Sequence, residues 1–336
     1  MSFLPHFSHI YIENEDRDYP LTRSLLERFS RAITIPINDY KEVFNRPRQR
    51  WDHQSRSLKL ILAKRKDAFI YPGSSFVPNF KHTHSFYTTP VLNCIYGCEY
   101  CYLKGMFSSP NLVAFVNESD FIQAASDSLS NDAPAYLCIS YDTDLLALEN
   151  IFGYCARYIE YARANPHVTV EIRTKSANIS ALDSIAPTPN VILAWTVSPE
   201  CVISRYEHRT PPLKSRLLAI SKAYQRGWRV RLCIDPILRI NSWQEHYQGL
   251  VQTIFKDLAA NEIDDVSIGV FRISSGYLRT MQERDLSSPI VQYPYTVSNQ
   301  SASYTPEQHR EMLQLVSEQL SLFVPQEKIC PVPWQL

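Results

Sequence analysis

From residue 85 onward, short apolar runs alternate with longer segments whose apolar residues have helical spacing. The runs that predict strands are Ser85–Leu92, Ala135–Ile139, Val168–Arg173, Val191–Val197, Val230–Ile234 and Val266–Val270. The segments that predict helices are Glu118–Leu129, Asn150–Ala164, Ile179–Ile185, Leu213–Arg226 and Trp243–Ala259. Six strands alternating with helices predict a parallel sheet with right-handed crossovers, either open or curled into an incomplete barrel.

The residues on either side of this alternating region have weaker patterns. Residues 1–84 predict an irregular N-terminal extension, with one helix where Leu21–Ile33 has helical spacing. Beyond residue 275, Gly276–Tyr304 is polar, and Thr305–Leu320 predicts a helix that starts at a Thr-Pro-Glu sequence. We therefore expect an extension at 1–84 packed on an α/β region at 85–275, and a C-terminal region at 276–336.

A cluster of basic residues lies within the extension, between Asn45 and Lys66. Its members are Arg46, Arg48, Arg50, Arg56, Lys59, Lys64, Arg65 and Lys66. Two interpretations are open. The cluster is either an ordinary solvated surface or a strip that contacts the phosphates of a nucleic acid.

Polar residues follow each predicted strand at the point where the strand ends. They are Cys94, Ser140–Asp144, Thr174–Ser176, Ser198, Asp235 and Arg272. Ligands of parallel α/β folds bind beyond the carboxyl ends of the strands, so these side chains predict a site at that edge. The alternative is that strand ends are polar simply because strands must stop.

Composition narrows the classes of function. The chain has 336 residues, with 34 Lys and Arg against 34 Asp and Glu, which excludes nucleic-acid binding through bulk charge but leaves room for a local basic groove. It has only 8 glycines and no glycine-rich phosphate-loop motif. No apolar run is long enough to span a membrane, and the opening residues lack a secretory pattern. We therefore expect a cytoplasmic protein with reduced cysteines.

Three of the eight cysteines, Cys94, Cys98 and Cys101, lie within eight residues of one another. Three thiolates on one loop can bind three irons of a cubane iron–sulfur cluster, which leaves the fourth iron for a small molecule with adjacent amine and carboxylate groups. Zinc is an alternative, with His82 or His84 as a further ligand. A disulfide is disfavoured in the cytosol.

The spacing of these cysteines, with an aromatic residue before the last one, resembles the cluster loop of the radical S-adenosylmethionine (radical SAM) superfamily. The resemblance implies a [4Fe–4S] cluster that donates an electron to SAM, after which a 5′-deoxyadenosyl radical abstracts a hydrogen atom. It also implies a loop that follows the first strand, with SAM lying across the strand ends.

Further stretches resemble the spore photoproduct lyase family over nearly the whole chain. They are Ile10–Glu13, Cys98–Leu103 (CEYCYL), Arg173–Lys175, Tyr206–Pro211 (YEHRTP), Asp235–Ile237 and Ser267–Arg272 (SIGVFR). The resemblance implies a partial (β/α)6 TIM-like barrel with an irregular N-terminal extension and a C-terminal helical segment. It implies an enzyme that takes a hydrogen atom from a thymine lesion in DNA and splits the lesion, with an electron donor such as a flavodoxin or ferredoxin as partner.

The resemblance also implies roles for individual residues. Cys94, Cys98 and Cys101 would hold the cluster. The positions that match SAM contacts are Thr143, Asp144, Lys175 and Ser198, where a lysine can neutralise a carboxylate and short polar side chains can bond an amine or a ribose. Tyr100 and Tyr102 match a tyrosine pair that relays a hydrogen atom, although packing around the cluster would also account for them.

Two departures from the family stand out. The family has a hydrogen-donor cysteine where this chain has Tyr141, while Cys138 lies three residues earlier on a predicted strand, where it is expected to be core or wall. The family also uses a basic, aromatic hairpin to enter DNA, and Gly276–Tyr304 has fewer basic residues than expected. Two alternatives therefore stay open: a radical SAM enzyme on another substrate, and a nucleic-acid-binding protein with a structural cysteine–metal clip.

Overall fold

The computed structural model describes residues 5–73, 80, 82, 84–129 and 133–332. The strands are β1 (His9–Glu13), β2 (Ile33–Ile37), β3 (Leu60–Ala63), β4 (Tyr71–Pro72), β5 (His84–Tyr87), β6 (Val91–Leu92), β7 (Gly97–Cys98), β8 (Leu112–Phe115), β9 (Ala135–Cys138), β10 (Val168–Thr174), β11 (Val191–Thr196), β12 (Glu207–His208), β13 (Arg229–Ile237), β14 (Asp265–Val270), β15 (Arg272–Ser274), β16 (Thr296–Ser298), β17 (Ser301–Ser303) and β18 (Ile329–Pro331).

The α-helices are α1 (Pro20–Arg28), α2 (Lys41–Phe44), α3 (Trp51–Gln54), α4 (Leu103–Met106), α5 (Glu118–Ser128), α6 (Leu145–Phe152), α7 (Tyr154–Ala164), α8 (Glu200–Tyr206), α9 (Leu213–Gln225), α10 (Trp243–Asp257), α11 (Ser275–Arg284) and α12 (Pro306–Ser321). Short 3-10 helices cover Asn14–Asp16, Ile179–Leu182, Ala260–Glu262 and Gln326–Lys328. Within the described residues, no helix has the length and apolar character that crossing a membrane requires.

The largest sheet confirms the predicted α/β fold. Its strand order is β18-β14-β13-β11-β10-β9-β5-β4, and every neighbouring pair is parallel except β4 with β5. Five of the six predicted strands lie at its centre together with the start of the sixth, Ser85–Leu92, whose last two residues form β6 in another sheet. The sheet curls into the expected partial barrel.

The two faces of this sheet differ in chemistry because successive side chains of a strand alternate. Val170 and Ile172 of β10 are fully buried in the apolar core, whereas Glu171 and Arg173, which alternate with them, point to the opposite face. There Glu171 lies level with Cys138 of the neighbouring strand. The inner face is therefore polar, and it leads to the carboxyl-end mouth of the barrel.

The N-terminal part is more regular than predicted. Strands β2, β1, β3, β8 and β6 form a second sheet in that order, parallel except for the β6–β8 pair. Both Leu60–Ala63 and Leu112–Phe115 are fully buried, so this sheet has a core of its own. The expectation of an irregular extension is thus wrong, and two strands from beyond the predicted boundary at residue 84, β6 and β8, belong to this sheet.

Other elements differ in detail from the predictions. The predicted helix at Asn150–Ala164 is two helices, α6 and α7, because Gly153 has φ 72 and ends the first of them. The predicted helix at Ile179–Ile185 is one 3-10 turn. The C-terminal helix begins as predicted, and Thr305 and Gln308 form a capping box at its start.

Candidate active site

The cysteine loop is pinned at its start and in its middle. At the start, Asn93 adopts φ 68, and its side-chain amide donates to the carbonyl oxygens of Ser109 at 2.6 Å and Asn111 at 2.9 Å. In the middle, β7 pairs antiparallel with β12, so that Cys98 lies opposite Glu207. A loop held this firmly presents its thiols in a preorganised arrangement.

Burial raises the pKa of all three thiols of this loop, Cys94, Cys98 and Cys101. A metal must therefore displace their protons when it binds. Among the described residues, no group of three or more His, Cys, Asp or Glu side chains converges on a point that a single ion could occupy. The cysteines of a cubane cluster do not have to converge on one position, because each thiolate binds a different iron atom.

The two histidines considered as zinc ligands lie at the other edge of the sheet. His82 packs its ring against Tyr136, with the ring centroids 5.0 Å apart. His84 is exposed and pairs with Ala135, where the parallel strands β5 and β9 begin. The cysteine loop instead lies where these strands end, since Tyr102 contacts Tyr141 beyond β9. Neither histidine therefore lies near enough to the cysteine loop to serve as the further zinc ligand.

Glu207 is a buried hub beneath the loop that sequence analysis missed. It is 1% exposed, and its carboxylate accepts hydrogen bonds from Tyr100, Arg216 and Ser198. Burial alone would raise the pKa of Glu207, but the Arg216 guanidinium and the Lys175 ammonium hold it below its ordinary value. An ionised Glu207 therefore ties the loop, through Tyr100, to the end of β11 and to α9.

Asp144 positions its neighbours at the mouth. Its carboxylate accepts from the backbone N–H of Ala147 at 3.0 Å, from the Thr174 hydroxyl at 2.7 Å and from the backbone N–H of Lys175 at 2.7 Å. It thus caps α6 and fixes the end of β10. Its predicted contact with SAM stays a prediction, and the structure gives it a positioning role.

Lys175 lies beside the cysteines. Its ammonium nitrogen is 5.6 Å from the centre of the Tyr100 ring. Burial acts to lower the pKa of Lys175, but Cys98 and Glu207 hold it above its ordinary value. A half-buried, charged lysine at this place is suited to bind a carboxylate of a ligand.

Several buried polar atoms on the inner face and at the mouth have no hydrogen-bond partner among the described residues. They include Ser140 Oγ, Thr143 Oγ1, Arg173 Nη2 and Ser267 Oγ. Each such atom costs free energy unless a ligand or water satisfies it. A polar ligand bound at this mouth could satisfy these four atoms, and Thr143 is among the residues predicted to contact SAM.

The chamber wall is a network of buried charges. Glu171, which is fully buried, accepts from Arg231 at 2.7 Å and from Arg173 at 3.2 Å. Nearer the mouth, Arg272 donates a hydrogen bond to Asp235 at 2.9 Å. The Cys138 thiol lies 3.7 Å from Glu171 in the same layer, so this residue is part of the chamber wall, as expected. Sequence alone could not identify these pairs, because their members come from different strands.

Two of the three predicted tyrosines, Tyr102 and Tyr141, meet at this mouth. The Tyr102 hydroxyl lies 2.7 Å from the Tyr141 carbonyl oxygen and 2.9 Å from a carboxylate oxygen of Asp142. The Tyr141 ring stacks on Tyr87 with centroids 4.2 Å apart and lies 6.1 Å from the Tyr102 ring. Tyr100 instead points away, toward Glu207. The three residues therefore do not form one continuous chain of hydroxyl groups.

Replacing Asp142 by Asn should stabilise the protein at pH 8. Asp142 is 3% exposed, and burial raises its pKa to about 6, against the hydrogen bond from Tyr102. The folded state therefore keeps a proton that the unfolded state releases, so wild-type stability falls as pH rises from about 4 to about 6. The expected gain at pH 8 is about 3 kcal/mol in the free energy of unfolding.

Urea titrations of the metal-free protein at pH 8 and pH 4.5 measure this effect. The gain should nearly disappear at the lower pH, where the wild-type carboxyl is also protonated in the folded state. Asp67→Asn, which removes an exposed carboxyl group, serves as control and should change little at either pH. A gain of equal size at both pH values would contradict the raised pKa of Asp142.

The predicted DNA-contacting segment, Gly276–Tyr304, is built differently from a basic hairpin. It contains helix α11 and a β16–β17 hairpin whose turn residues, Asn299 and Gln300, have positive φ. The hairpin residues from 296 to 303 include no charged side chain. Tyr293 and Tyr295 pack on Tyr304 at 5.0 and 5.1 Å between ring centroids. These tyrosines serve the core of the C-terminal region.

Known proteins match most of the length of this chain. The sequence profile of the family described as spore photoproduct lyase matches residues 3–284. A spore photoproduct lyase of Clostridium acetobutylicum is 22% identical over 273 residues, which are 77% of this chain and 76% of that protein. The spore photoproduct lyase of Bacillus subtilis is 24% identical over 273 residues, which are 79% and 77% of the two chains.

Solved structures share the fold. A spore photoproduct lyase complexed with dinucleoside spore photoproduct superposes over 100% of both chains, with a TM-score of 0.83 at 17% identity. A double mutant with bound AdoMet and dinucleoside spore photoproduct also matches over 100% of both chains, with a TM-score of 0.80 at 17% identity. This chain and these proteins therefore share the same fold, including the curled sheet and the elements that flank it.

Proposed function

Since the chain belongs to the spore photoproduct lyase family, we propose that it splits a thymine lesion in DNA by radical chemistry. It is a radical SAM lyase whose cofactors are SAM and a [4Fe–4S] cluster. One observation carries the proposal: a pinned loop of three thiols lies beside a half-buried lysine and a set of unsatisfied polar groups.

The residues present fit both cofactors. Cys94, Cys98 and Cys101 would hold three corners of the cluster, and Lys175 would bind the carboxylate of SAM. The unpaired hydroxyl of Thr143 can bond its amine or ribose, and Ser198, which donates to Glu207, keeps lone pairs that can accept. When bound, the two groups supply an organic radical that removes a hydrogen atom from the substrate.

Other residues of the chain prepare the chamber for the substrate. Arg173 Nη2 and Ser267 Oγ are unpaired donors that can bond the carbonyl oxygens of a thymine pair. The buried pairs Glu171–Arg231 and Asp235–Arg272 keep the chamber wall rigid and charged. Such fixed groups orient a ligand at little cost in reorganisation.

The electron that the cofactors require must come from outside the chain. We propose a one-electron carrier such as a flavodoxin or a ferredoxin as the donor. The substrate partner is lesion-containing DNA, and the uncharged β16–β17 hairpin favours fewer phosphate contacts than a basic hairpin would make. This observation also favours a second candidate, a radical SAM enzyme on a different substrate.

Replacing Tyr141 by Phe should uncouple radical formation from repair. The resemblance to the family matches Tyr141 to the position of the hydrogen donor, and the Tyr141 ring lies between Tyr87 and Tyr102. Phenylalanine preserves the ring stack but lacks the phenolic O–H that would donate the hydrogen atom. Because this donation comes after the radical has formed, 5′-deoxyadenosine should still form. The yield of repaired dinucleotide per 5′-deoxyadenosine should fall about tenfold or more.

Chromatography of both products after single turnovers measures this ratio. Tyr87→Phe is the matched control, because it removes a hydroxyl from the same stack without touching the donor position, and its ratio should stay near wild type. An unchanged ratio in Tyr141→Phe would assign the hydrogen donation to another group, with the Cys138 thiol the first to examine.

Binding and turnover together test the proposed function. The reconstituted protein is titrated with lesion-bearing and plain duplex DNA, then reduced with SAM in the presence of the lesion dinucleotide. Preference for the lesion and conversion to the thymidine dinucleotide are expected. Formation of 5′-deoxyadenosine with equal affinity for both duplexes and no conversion would favour the second candidate.

A further inference from the structure

Arg209 lies over the cysteine loop in a backbone conformation that few residues adopt. Its φ is 67, in the left-handed region that costs energy for a residue with a side chain. This conformation turns the guanidinium back over β7, where a Cβ on Gly97 would be 3.3 Å from Arg209 Nη2. Arg209 Nη1 also donates to the Ser55 carbonyl oxygen at 3.2 Å. No step proposed above uses this cation.

The covering of the loop is thin at this place. Gly97 has no side chain, and Arg209 and His208 above it are both exposed. The guanidinium contacts the backbone at Gly97, the residue before Cys98, on one side and reaches solvent on the other. An electron entering from outside would cross little protein here.

Basic side chains gather around Arg209. Its hydrogen-bond partner, Ser55, lies directly after helix α3. Arg50 comes immediately before this helix, and the exposed Arg56 comes immediately after Ser55. Arg284 lies over the ring of Trp51 in α3, 5.1 Å from its centre, and donates to the Lys104 carbonyl oxygen. We call this surface the basic face; its members are Arg50, Arg56, Lys104, Arg209 and Arg284.

The acids near this surface offset only part of its charge. Asp52 is paired with Arg50 at 3.5 Å, and Glu283 is next to Arg284 in α11. Glu99 is bound by His208 at 2.8 Å and by the Ser288 hydroxyl at 2.5 Å. Because the whole chain has a net charge of zero, the basic face is a local concentration of positive charge.

We propose that the basic face docks an acidic protein that carries one electron on a flavin or an iron–sulfur cluster, with Arg209 at the centre of the contact. The carrier loses one electron, and the cluster held by the cysteine loop gains it. Complementary charge would speed the encounter, and a small, transient interface suffices for electron transfer. The inference rests on the proposed function, because it requires the cluster.

DNA is a competing occupant, since it too is anionic. The unsatisfied donors Arg173 and Ser267 lie inside the barrel, whereas Arg209 lies on the outer side of Gly97. The cysteine loop separates the two. A lesion bound in the chamber would therefore leave the basic face free for a second partner.

Charge reversal tests this proposal on the reconstituted, cluster-loaded protein. The variants are Arg56→Glu and Arg209→Glu, and the control is Arg310→Glu, an exposed arginine on α12. The probes are flavodoxin and ferredoxin, each titrated onto the protein to measure affinity. Their reduced forms are then mixed with it to measure bleaching of the cluster at low and high salt. Photoreduced deazaflavin, a small reductant, provides a route that needs no docking.

For at least one carrier, both variants should bind about tenfold more weakly than wild type at low salt. Bleaching by that carrier should slow in Arg56→Glu but not in Arg310→Glu, and salt should slow it in wild type. Deazaflavin should bleach the Arg56→Glu and Arg310→Glu proteins at equal rates. Repair driven by deazaflavin tests the proposed function separately.

Three results would overturn the proposal. They are carrier affinities unchanged in both variants, equal effects of Arg56→Glu and Arg310→Glu, or variants that lose affinity for duplex DNA while keeping that for both carriers. The last result would assign the basic face to nucleic acid.

Discussion

Cys98→Ala is expected to abolish both iron binding and SAM cleavage. Cys98 is the central member of the cysteine loop and is held in β7 by pairing with Glu207 of β12. Its loss leaves two thiols, too few for three corners of a cubane. Reconstituted wild-type protein should bind about four iron atoms per chain, and the variant should lose the visible absorption that such clusters give.

Cys201→Ala is the matched control. Cys201 is a half-buried free thiol on α8, outside the loop, and its removal should leave iron content and absorption unchanged. Iron analysis, the visible spectrum and 5′-deoxyadenosine formation are measured together. If Cys98→Ala kept wild-type iron and SAM cleavage, the assignment of the cluster to this loop would be wrong.

Glu207→Gln is expected to cause the largest loss of stability. Arg216 is fully buried and donates to Glu207, so removing the negative charge leaves a buried cation without compensation. Breaking one partner of such a pair costs about 3 kcal/mol or more. The Tyr100 contact to the loop weakens as well, so iron should be lost faster to a chelator.

A double variant separates the charge effect from simple repacking. Glu207→Gln combined with Arg216→Met removes both charges and should recover most of the lost free energy of unfolding. The pKa of Glu207 is lowered in the folded state, so the deficit of Glu207→Gln should be full above about pH 4.3 and shrink below it. A single variant as stable as wild type at pH 8 would show that Glu207 does not hold the loop.

The sequence predicted the barrel well because its strands are buried and parallel. Val191–Thr196 and Val266–Val270 are buried runs rich in β-branched residues with helical segments between them, and this pattern favours a parallel sheet. The N-terminal sheet was missed for a physical reason. Leu60–Ala63 has only four residues and lies within a basic stretch, so its apolar run gave little signal.

The candidate site was only partly predictable. The cysteines are close together in the sequence, so their spacing could be recognised as a cluster motif. The role of Glu207 depends on its contacts with Tyr100, which lies 107 residues away, and with Arg216, and the sequence does not show these contacts. Asp144 is an error of the other kind. Its position at a strand end predicted a contact with a ligand, but its carboxylate accepts hydrogen bonds from three donors of the protein itself. Residue type and strand position indicate a mouth, but they do not separate binding groups from positioning groups.

The most direct test of the account follows one hydrogen atom. A lesion dinucleotide carrying deuterium at C6 of the lesion is incubated anaerobically with the reconstituted protein, SAM and a reductant. Mass spectrometry then measures deuterium in 5′-deoxyadenosine. We expect deuterium in 5′-deoxyadenosine together with release of thymidine dinucleotide. Unlabelled 5′-deoxyadenosine with an intact lesion would contradict the claim that this chamber repairs a thymine lesion.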